Sequence, residues 1–217
     1  MFKKLFATVA TSALLALAPA AHASLIDGVG DAGSFAFSQA QGTSTLSADA
    51  SYVVTSYSTT QIILSLTVTN TSTLLAPYTQ AGLASIGFAT DPTVTGASVT
   101  GGSTFDGASV AGIPGFKDTI NLCVWAGNNC NGGPQGDLLA VGASDTFTLT
   151  LTGDFASGLI LTDTAIKFQT NLGSFEFAGC DSTAGPCTPP EEVPEPATLA
   201  LLGAGLLGLA YRRRRSA

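Results

Sequence analysis

The chain has 217 residues, 45% of them hydrophobic and 11% charged, and its formal net charge at pH 7 is −7. Residues 24–192 are more acidic than the whole, since they contain two basic residues, Lys117 and Lys167, and fourteen acidic ones, a net charge of −12. A surface of that sign repels nucleic-acid phosphates, which excludes nucleic-acid binding as a function of this stretch.

The first 23 residues have the features of a secretory signal peptide. Two lysines form a positive n-region, an apolar segment follows at residues 5–17, and Ala21 and Ala23 form an A-x-A site just before Ser24. We therefore expect an exported protein that begins at Ser24, with a retained N-terminal anchor as the alternative. The single histidine, His22, is lost with the peptide, so catalytic triads, Cys-His dyads and metal sites that need histidine are excluded from the mature chain.

Apolar residues in the mature chain alternate with serine and threonine instead of recurring at helical spacing. The clearest run is Gln61–Asn70, in which Ile62, Leu64, Leu66 and Val68 share one face. Shorter runs of the same kind lie at residues 34–38, 84–90, 146–152, 165–170 and 174–178. Turn-forming clusters separate them, at Asp91-Pro92, Gly101-Gly102, residues 131–134 and Gly153-Asp154. Period-two alternation predicts half-buried antiparallel strands, and residues 24–182 therefore form a single all-β domain, a β-sandwich of the jelly-roll or immunoglobulin-like type.

Four cysteines are the most specific feature of this domain. They form two sequential pairs, each enclosing six residues: Cys123 and Cys130, then Cys180 and Cys187. In an exported protein an even number of cysteines favours disulfides over free thiols. Of the three possible pairings we favour the two sequential ones. A zinc site built from four cysteines is the alternative, although a spacing of six is wider than the usual two to four.

Trp125, the single tryptophan, lies inside the first cysteine loop and next to Asn128, Asn129 and Asn131. An exposed indole flanked by amides can stack on a sugar ring and bind its hydroxyl groups, so Trp125 is a candidate ligand residue. The alternative is that Trp125 covers the hydrophobic core with its N–H group satisfied, as large aromatic residues commonly do.

Carboxylates offer two further possibilities. A glycosidase needs a pair of acids, and the candidates are Asp137, Asp145, Asp154, Asp163 and Glu176, of which no pair stands out. The run from Asp27 to Asp31 offers oxygen atoms to Ca²⁺, but it lacks the acid count and spacing of an EF-hand, and we favour a solvated turn. We therefore expect no cofactor, no metal site and no catalytic residue.

The chain ends with a linker and a three-part tail. Residues 183–196 are rich in proline and acid, which predicts an extended linker. Its last four residues are followed by an apolar stretch at residues 197–211 and by four arginines: Val193, Pro194, Glu195, Pro196, then Arg212, Arg213, Arg214 and Arg215. Residues 197–217 predict a helix whose apolar part spans roughly 22 Å, shorter than the ~30 Å hydrocarbon core, with the arginines on the cytoplasmic side. A plain C-terminal membrane anchor, or a buried helix with a solvated basic end, is the alternative.

This tail resembles the sorting signal of PEP-CTERM proteins, the bacterial surface proteins that exosortases process. The resemblance implies that Val193, Pro194, Glu195 and Pro196 are the recognition box and that an exosortase in the inner membrane cuts near it. It also implies transient anchoring, followed by delivery to the cell surface or exopolysaccharide matrix of a Gram-negative bacterium. Residues 120–137 and 165–169 are further similar to segments of the cistern group of PEP-CTERM proteins.

Three functions from different classes follow. We favour an exported non-enzymatic protein of the cell surface or extracellular matrix, with the exosortase, the export machinery and exopolysaccharide as partners. The second is a carbohydrate-binding module that uses Trp125. The third is a hydrolase with two acids roughly 5–9.5 Å apart in a cleft. O-glycosylation of exposed threonines is an additional hypothesis.

Overall fold

The computed structural model describes residues 24–182. Within them, twelve β-strands and a single turn of 3-10 helix (Gln135–Asp137) account for the regular structure. The strands are β1 Ser24–Ile26, β2 Ala32–Gln41, β3 Ser44–Tyr57, β4 Gln61–Asn70, β5 Ala81–Asp91, β6 Gly96–Thr100, β7 Phe105–Ser109, β8 Leu122–Ala126, β9 Ser144–Thr152, β10 Leu159–Thr170, β11 Gly173–Ala178 and β12 Cys180–Asp181.

The strands form two antiparallel sheets of six strands each. Sheet A has the order β1-β10-β5-β8-β7, with β11 paired to β10 on the same edge as β1. Sheet B has the order β12-β2-β3-β4-β9-β6. Most connections pass from one sheet to the other, and four hairpin connections remain within a sheet: β2 to β3, β3 to β4, β7 to β8 and β10 to β11.

The main hydrophobic core lies between the two sheets. Phe35 of sheet B packs against Phe88 of sheet A with ring centroids 5.7 Å apart, and Phe105 of sheet A stacks on Phe147 of sheet B at 5.2 Å. The inward residues of β4 are all buried in this core. The predicted all-β antiparallel sandwich is therefore confirmed, and β4 has the bounds that the alternation predicted.

Two strands had no clear alternation of large apolar residues in the sequence. β3 places small residues such as Ala48 and Ala50 at inward positions, which weakens the period-two signal. β8 is apolar at consecutive positions because both of its faces are covered: Val124 points into the main core, whereas Cys123 belongs to a second cluster on the outer face of sheet A.

The loop between β7 and β8, residues 110–121 (the covering loop), folds back over sheet A and forms that second cluster with it. Ile113 and Ile120 of the loop pack against Ala89, Cys123, Cys130 and Ala165. Gly87 makes this close approach possible, because a Cβ atom at that position would lie 2.6 Å from Cγ2 of Ile120. The loop is thus a fixed part of the sandwich, and it builds the surface that carries the candidate site.

In residues 24–182 no helix has the length and apolar character needed to cross a membrane. The predicted signal peptide, the linker with its proline box and the C-terminal apolar helix lie outside the described residues.

Candidate functional site

Five residues form one row across the outer face of sheet A. Strand pairing places Gly107 beside Trp125, Trp125 beside Ser85, Ser85 beside Lys167, and Lys167 beside Glu176. On β5, β8 and β10 the residues before and after the row member belong to the main core, so the row itself faces outward. Residues that are distant in sequence are brought together here by strand order.

Trp125 is half-buried and lies on this outer face, not between the sheets. Its indole covers Gly107, since a Cβ atom at that position would collide with the indole ring. The apolar contacts of Trp125 are with the second cluster, on the outer face of sheet A. Trp125 therefore keeps part of its indole accessible while the rest is held against the sheet.

A depression of about 410 Å³ opens beside this indole. It is lined by residues of β7, β8, the covering loop and the loop that follows β8: Ser109, Ala111, Gly112, Lys117, Trp125, Asn129, Cys130 and Asn131. Asn129 and Asn131, both predicted neighbours of a sugar site, are exposed on its rim, and the Oδ1 atom of Asn129 accepts the Asn131 backbone N–H at 2.7 Å. An aromatic surface and amide groups therefore line the same depression.

The predicted disulfide between Cys123 and Cys130 is confirmed, with Cα atoms 6.2 Å apart. Both cysteines are buried, and the hydroxyl of Ser85 donates to the backbone carbonyl of Cys130 at 3.3 Å. The bond therefore closes the loop that carries Asn129 and draws it onto sheet A. Cys180 is also disulfide-bonded, and its predicted partner, Cys187, lies outside the described residues.

Replacing both Cys123 and Cys130 by alanine is expected to lower the free energy of unfolding by about 2.5 kcal/mol, because the unfolded chain regains the entropy of an eight-residue loop. Urea unfolding of the oxidised proteins measures the difference. Ser109→Ala is the matched control, since its hydroxyl lies 3.7 Å from the Cys130 sulfur but the bond stays intact. A loss below about 0.5 kcal/mol, which is usual for surface substitutions, would show that the disulfide does not stabilise the fold.

Further along the row, beyond Ser85, Lys167 forms an ion pair with Glu176. Only 5% of Lys167 is exposed, and Gly115 of the covering loop lies close to the Cβ atom of Glu176. Both side chains are thus engaged with each other beneath the covering loop. Glu176 was one of the five acids considered for glycosidase chemistry.

The other four acids of that set lie on different elements. Asp145 of β9 is buried and accepts hydrogen bonds from Ser103, Thr104 and Phe105. Asp137 lies in the 3-10 helix, and Asp163 lies at an exposed position of β10. Asp154 lies in a turn, where its carboxylate accepts the Ala156 N–H. Asp145 and Glu176 therefore serve structural contacts in opposite sheets.

The candidate calcium run forms a capped turn. The Oδ2 atom of Asp31 accepts the backbone N–H groups of Asp27 and Gly28, both at 2.8 Å. These hydrogen bonds, that from Asp27 foremost, hold the pKa of the Asp31 carboxyl below its ordinary value. Within residues 24–182 no three His, Cys, Asp or Glu side chains are grouped so that they would hold a metal ion.

The sequence pointed to Trp125, Asn129 and Asn131, which line the depression, and also to Asn128, which does not. It did not place Lys117 or Ser109 beside them. Both reach the depression through the path of β7 and the covering loop. A signal for Lys117 was present, because it is one of two basic residues between positions 24 and 192.

Comparison with protein families matches residues 192–215 to the PEP-CTERM protein-sorting motif. The match contains Val193, Pro194, Glu195 and Pro196 together with the four arginines, in the predicted order. It does not extend to residues 120–137 or 165–169, so membership of the cistern group stays a prediction. Comparison with curated proteins finds no match. The motif implies export, an exosortase as processing partner and transient membrane anchoring before the surface is reached, and it is by this motif, at residues 192–215, that the chain is similar to PEP-CTERM sorting-signal proteins.

Proposed function

We propose that this is a non-enzymatic protein of the cell surface or extracellular matrix of a Gram-negative bacterium, associated with exopolysaccharide. The observation that carries the proposal is the sorting motif at residues 192–215, attached to a sandwich in which Asp145 and Glu176 serve structural contacts. On this proposal the folded domain is the part that is delivered to the surface, and the tail is removed near its proline box.

Processing is tested by producing the full chain in a Gram-negative host with an exosortase and in the same host without it. We expect the exported protein to begin at Ser24 and to end near residues 193–196 only where the exosortase is present. Intact mass without reduction measures both ends, the disulfides and any O-glycosylation together. In the host without exosortase we expect the uncut tail in the membrane fraction.

The test variant combines three changes in the box, Pro194→Ala, Glu195→Ala and Pro196→Ala. Its control is Glu191→Ala, which lies just outside the sorting motif. The first should abolish cutting and the second should leave it unchanged. An uncut chain in the cytosol with reduced thiols would contradict the proposal.

A second candidate function, saccharide binding, is favoured by the depression beside Trp125. A half-buried indole with exposed Asn129 and Asn131 at its edge can cover the apolar face of a sugar ring while the amides bind its hydroxyl groups. Aromatic side chains supply large contact area at low entropic cost, which suits a shallow site.

We expect Trp125→Ala to weaken oligosaccharide binding by tenfold or more, and Trp125→Phe, which keeps an aromatic face, to weaken it by less than the alanine variant. Isothermal titration with galacturonate and neutral galactose tetramers measures this, and near-ultraviolet circular dichroism checks that the sandwich is intact. Equal affinity of the Trp125→Ala variant and the unchanged protein for every tetramer that binds would contradict the candidate.

A further inference from the structure

The charge of the depression beside Trp125 is opposite to the charge of the domain. Among the described residues that line it, Lys117 carries the one charge and no carboxylate is present. The surrounding stretch, residues 24–192, has a net charge of −12. Asp106 belongs to β7 and Asp118 directly follows Lys117 in the chain, but neither lines the depression.

Lys117 is also the basic residue left available, because Lys167 is buried and paired with Glu176. The side chain of Lys117 is exposed. One of the two cations in an acidic domain is therefore presented at the rim of a site that also contains the single tryptophan.

The backbone around Lys117 is held in place by the covering loop. Ile113 and Ile120, on either side of it, are buried in the second cluster, and the Ile120 N–H donates to the Phe116 carbonyl at 2.8 Å. The Cα atom of Lys117 lies 2.7 Å from where a Cβ atom on Gly112 would be, so the loop turns back on itself here. A fixed backbone limits the entropy that is lost when Lys117 binds an anion.

We infer that the depression binds an acidic saccharide, namely a chain of hexuronic acid units, and this inference rests on the saccharide binding proposed for Trp125. The indole covers the C–H face of one ring, Asn129 and Asn131 bind hydroxyl groups, and the Lys117 ammonium donates to the uronate carboxylate. An ammonium–carboxylate hydrogen bond is about twice as strong as a neutral one, so the carboxylate sets the preference. At physiological salt, charges beyond about 8 Å are largely screened, which limits repulsion by the acids elsewhere on the domain.

The test uses a matched pair of probes, tetragalacturonate and the neutral tetrasaccharide made from it by carboxyl reduction, titrated into the exported protein at 0.15 M salt. We expect the acidic probe to bind at least tenfold more tightly than the neutral one. Lys117→Gln should remove that difference by weakening the binding of the acidic probe. Lys117→Arg should retain most of it, and Asp118→Asn, a charge change next to the site, should alter it by less than threefold.

Two outcomes overturn the inference, and they separate it from the candidate function beneath it. If both probes bind with equal affinity and the Trp125→Ala variant binds neither, the saccharide site stands but its preference for an acidic saccharide is contradicted. Absence of binding of either probe at millimolar concentration would overturn both the site and its ligand class.

Discussion

Replacing Asp145 by alanine is expected to lower the free energy of unfolding by about 3 kcal/mol at pH 7, because three backbone N–H groups, that of Phe105 buried, lose a charged acceptor. Oδ1 accepts the Ser103 N–H at 2.9 Å and the Ser103 hydroxyl at 2.8 Å, and Oδ2 accepts the N–H groups of Thr104 and Phe105 at 2.9 and 2.7 Å. Since Asp145 lies in sheet B and Phe105 begins β7 of sheet A, these bonds tie the two sheets together at this end. Urea unfolding measures the loss.

The same carboxylate should make stability depend on acid. Burial opposes its charge, but the N–H groups of Ser103, Phe105 and Thr104 outweigh burial and hold the pKa of Asp145 below its ordinary value. The stabilisation is therefore full above the ordinary aspartate pKa of about 3.9 and is lost as the pH falls through the lower pKa of the folded state. Asp145→Asn should flatten the pH dependence of the unfolding free energy below about pH 5.

Asp49→Asn is the control for that experiment, since Asp49 is exposed on β3 and its loss should change stability by less than about 0.5 kcal/mol. If Asp145→Asn and Asp49→Asn gave the same stability at pH 7 and the same acid dependence, the hydrogen bonds that Asp145 accepts would not stabilise the fold.

Replacing Glu176 by glutamine, which breaks the ion pair, is expected to lower the free energy of unfolding by about 3 kcal/mol. This is the lower end of the range for buried pairs, because Glu176 keeps some contact with water. Glu176→Gln leaves the Lys167 ammonium buried beneath the covering loop without its charged partner. Lys167→Met should cost less, since the residual carboxylate remains partly hydrated. Thermal and urea unfolding of both variants measure these costs.

The double variant Lys167→Met with Glu176→Gln completes the cycle. It should be more stable than Glu176→Gln alone, because no unpaired charge is left buried once both partners are neutral. Lys117→Met, at the exposed lysine, is the matched control and should change stability by less than about 0.5 kcal/mol. Additive effects of the two pair substitutions would show that Lys167 and Glu176 do not stabilise each other.

Features encoded over a few neighbouring residues were predictable. The bounds of β4 followed from alternation, since the side-chain period of a strand is local, and the Cys123–Cys130 bond joins residues that one short loop brings together. The tail motif is a linear signal, so its box, apolar stretch and arginines can be identified without a fold. In contrast, β3 was missed because alanine at inward positions carries little hydrophobic signal, although burial between the sheets makes those positions part of the core.

The sequence alone therefore determined the sorting motif, the all-β class and the local disulfide, because each depends on residues close together along the chain. Tertiary structure decided that Lys117 shares a depression with Trp125, that Lys167 pairs with Glu176, and that Asp145 holds the start of β7. Each of these contacts depends on strand order, hairpin register or the path of a covering loop. Those choices are made by burial and backbone pairing over the whole domain, and no short segment of the chain encodes them.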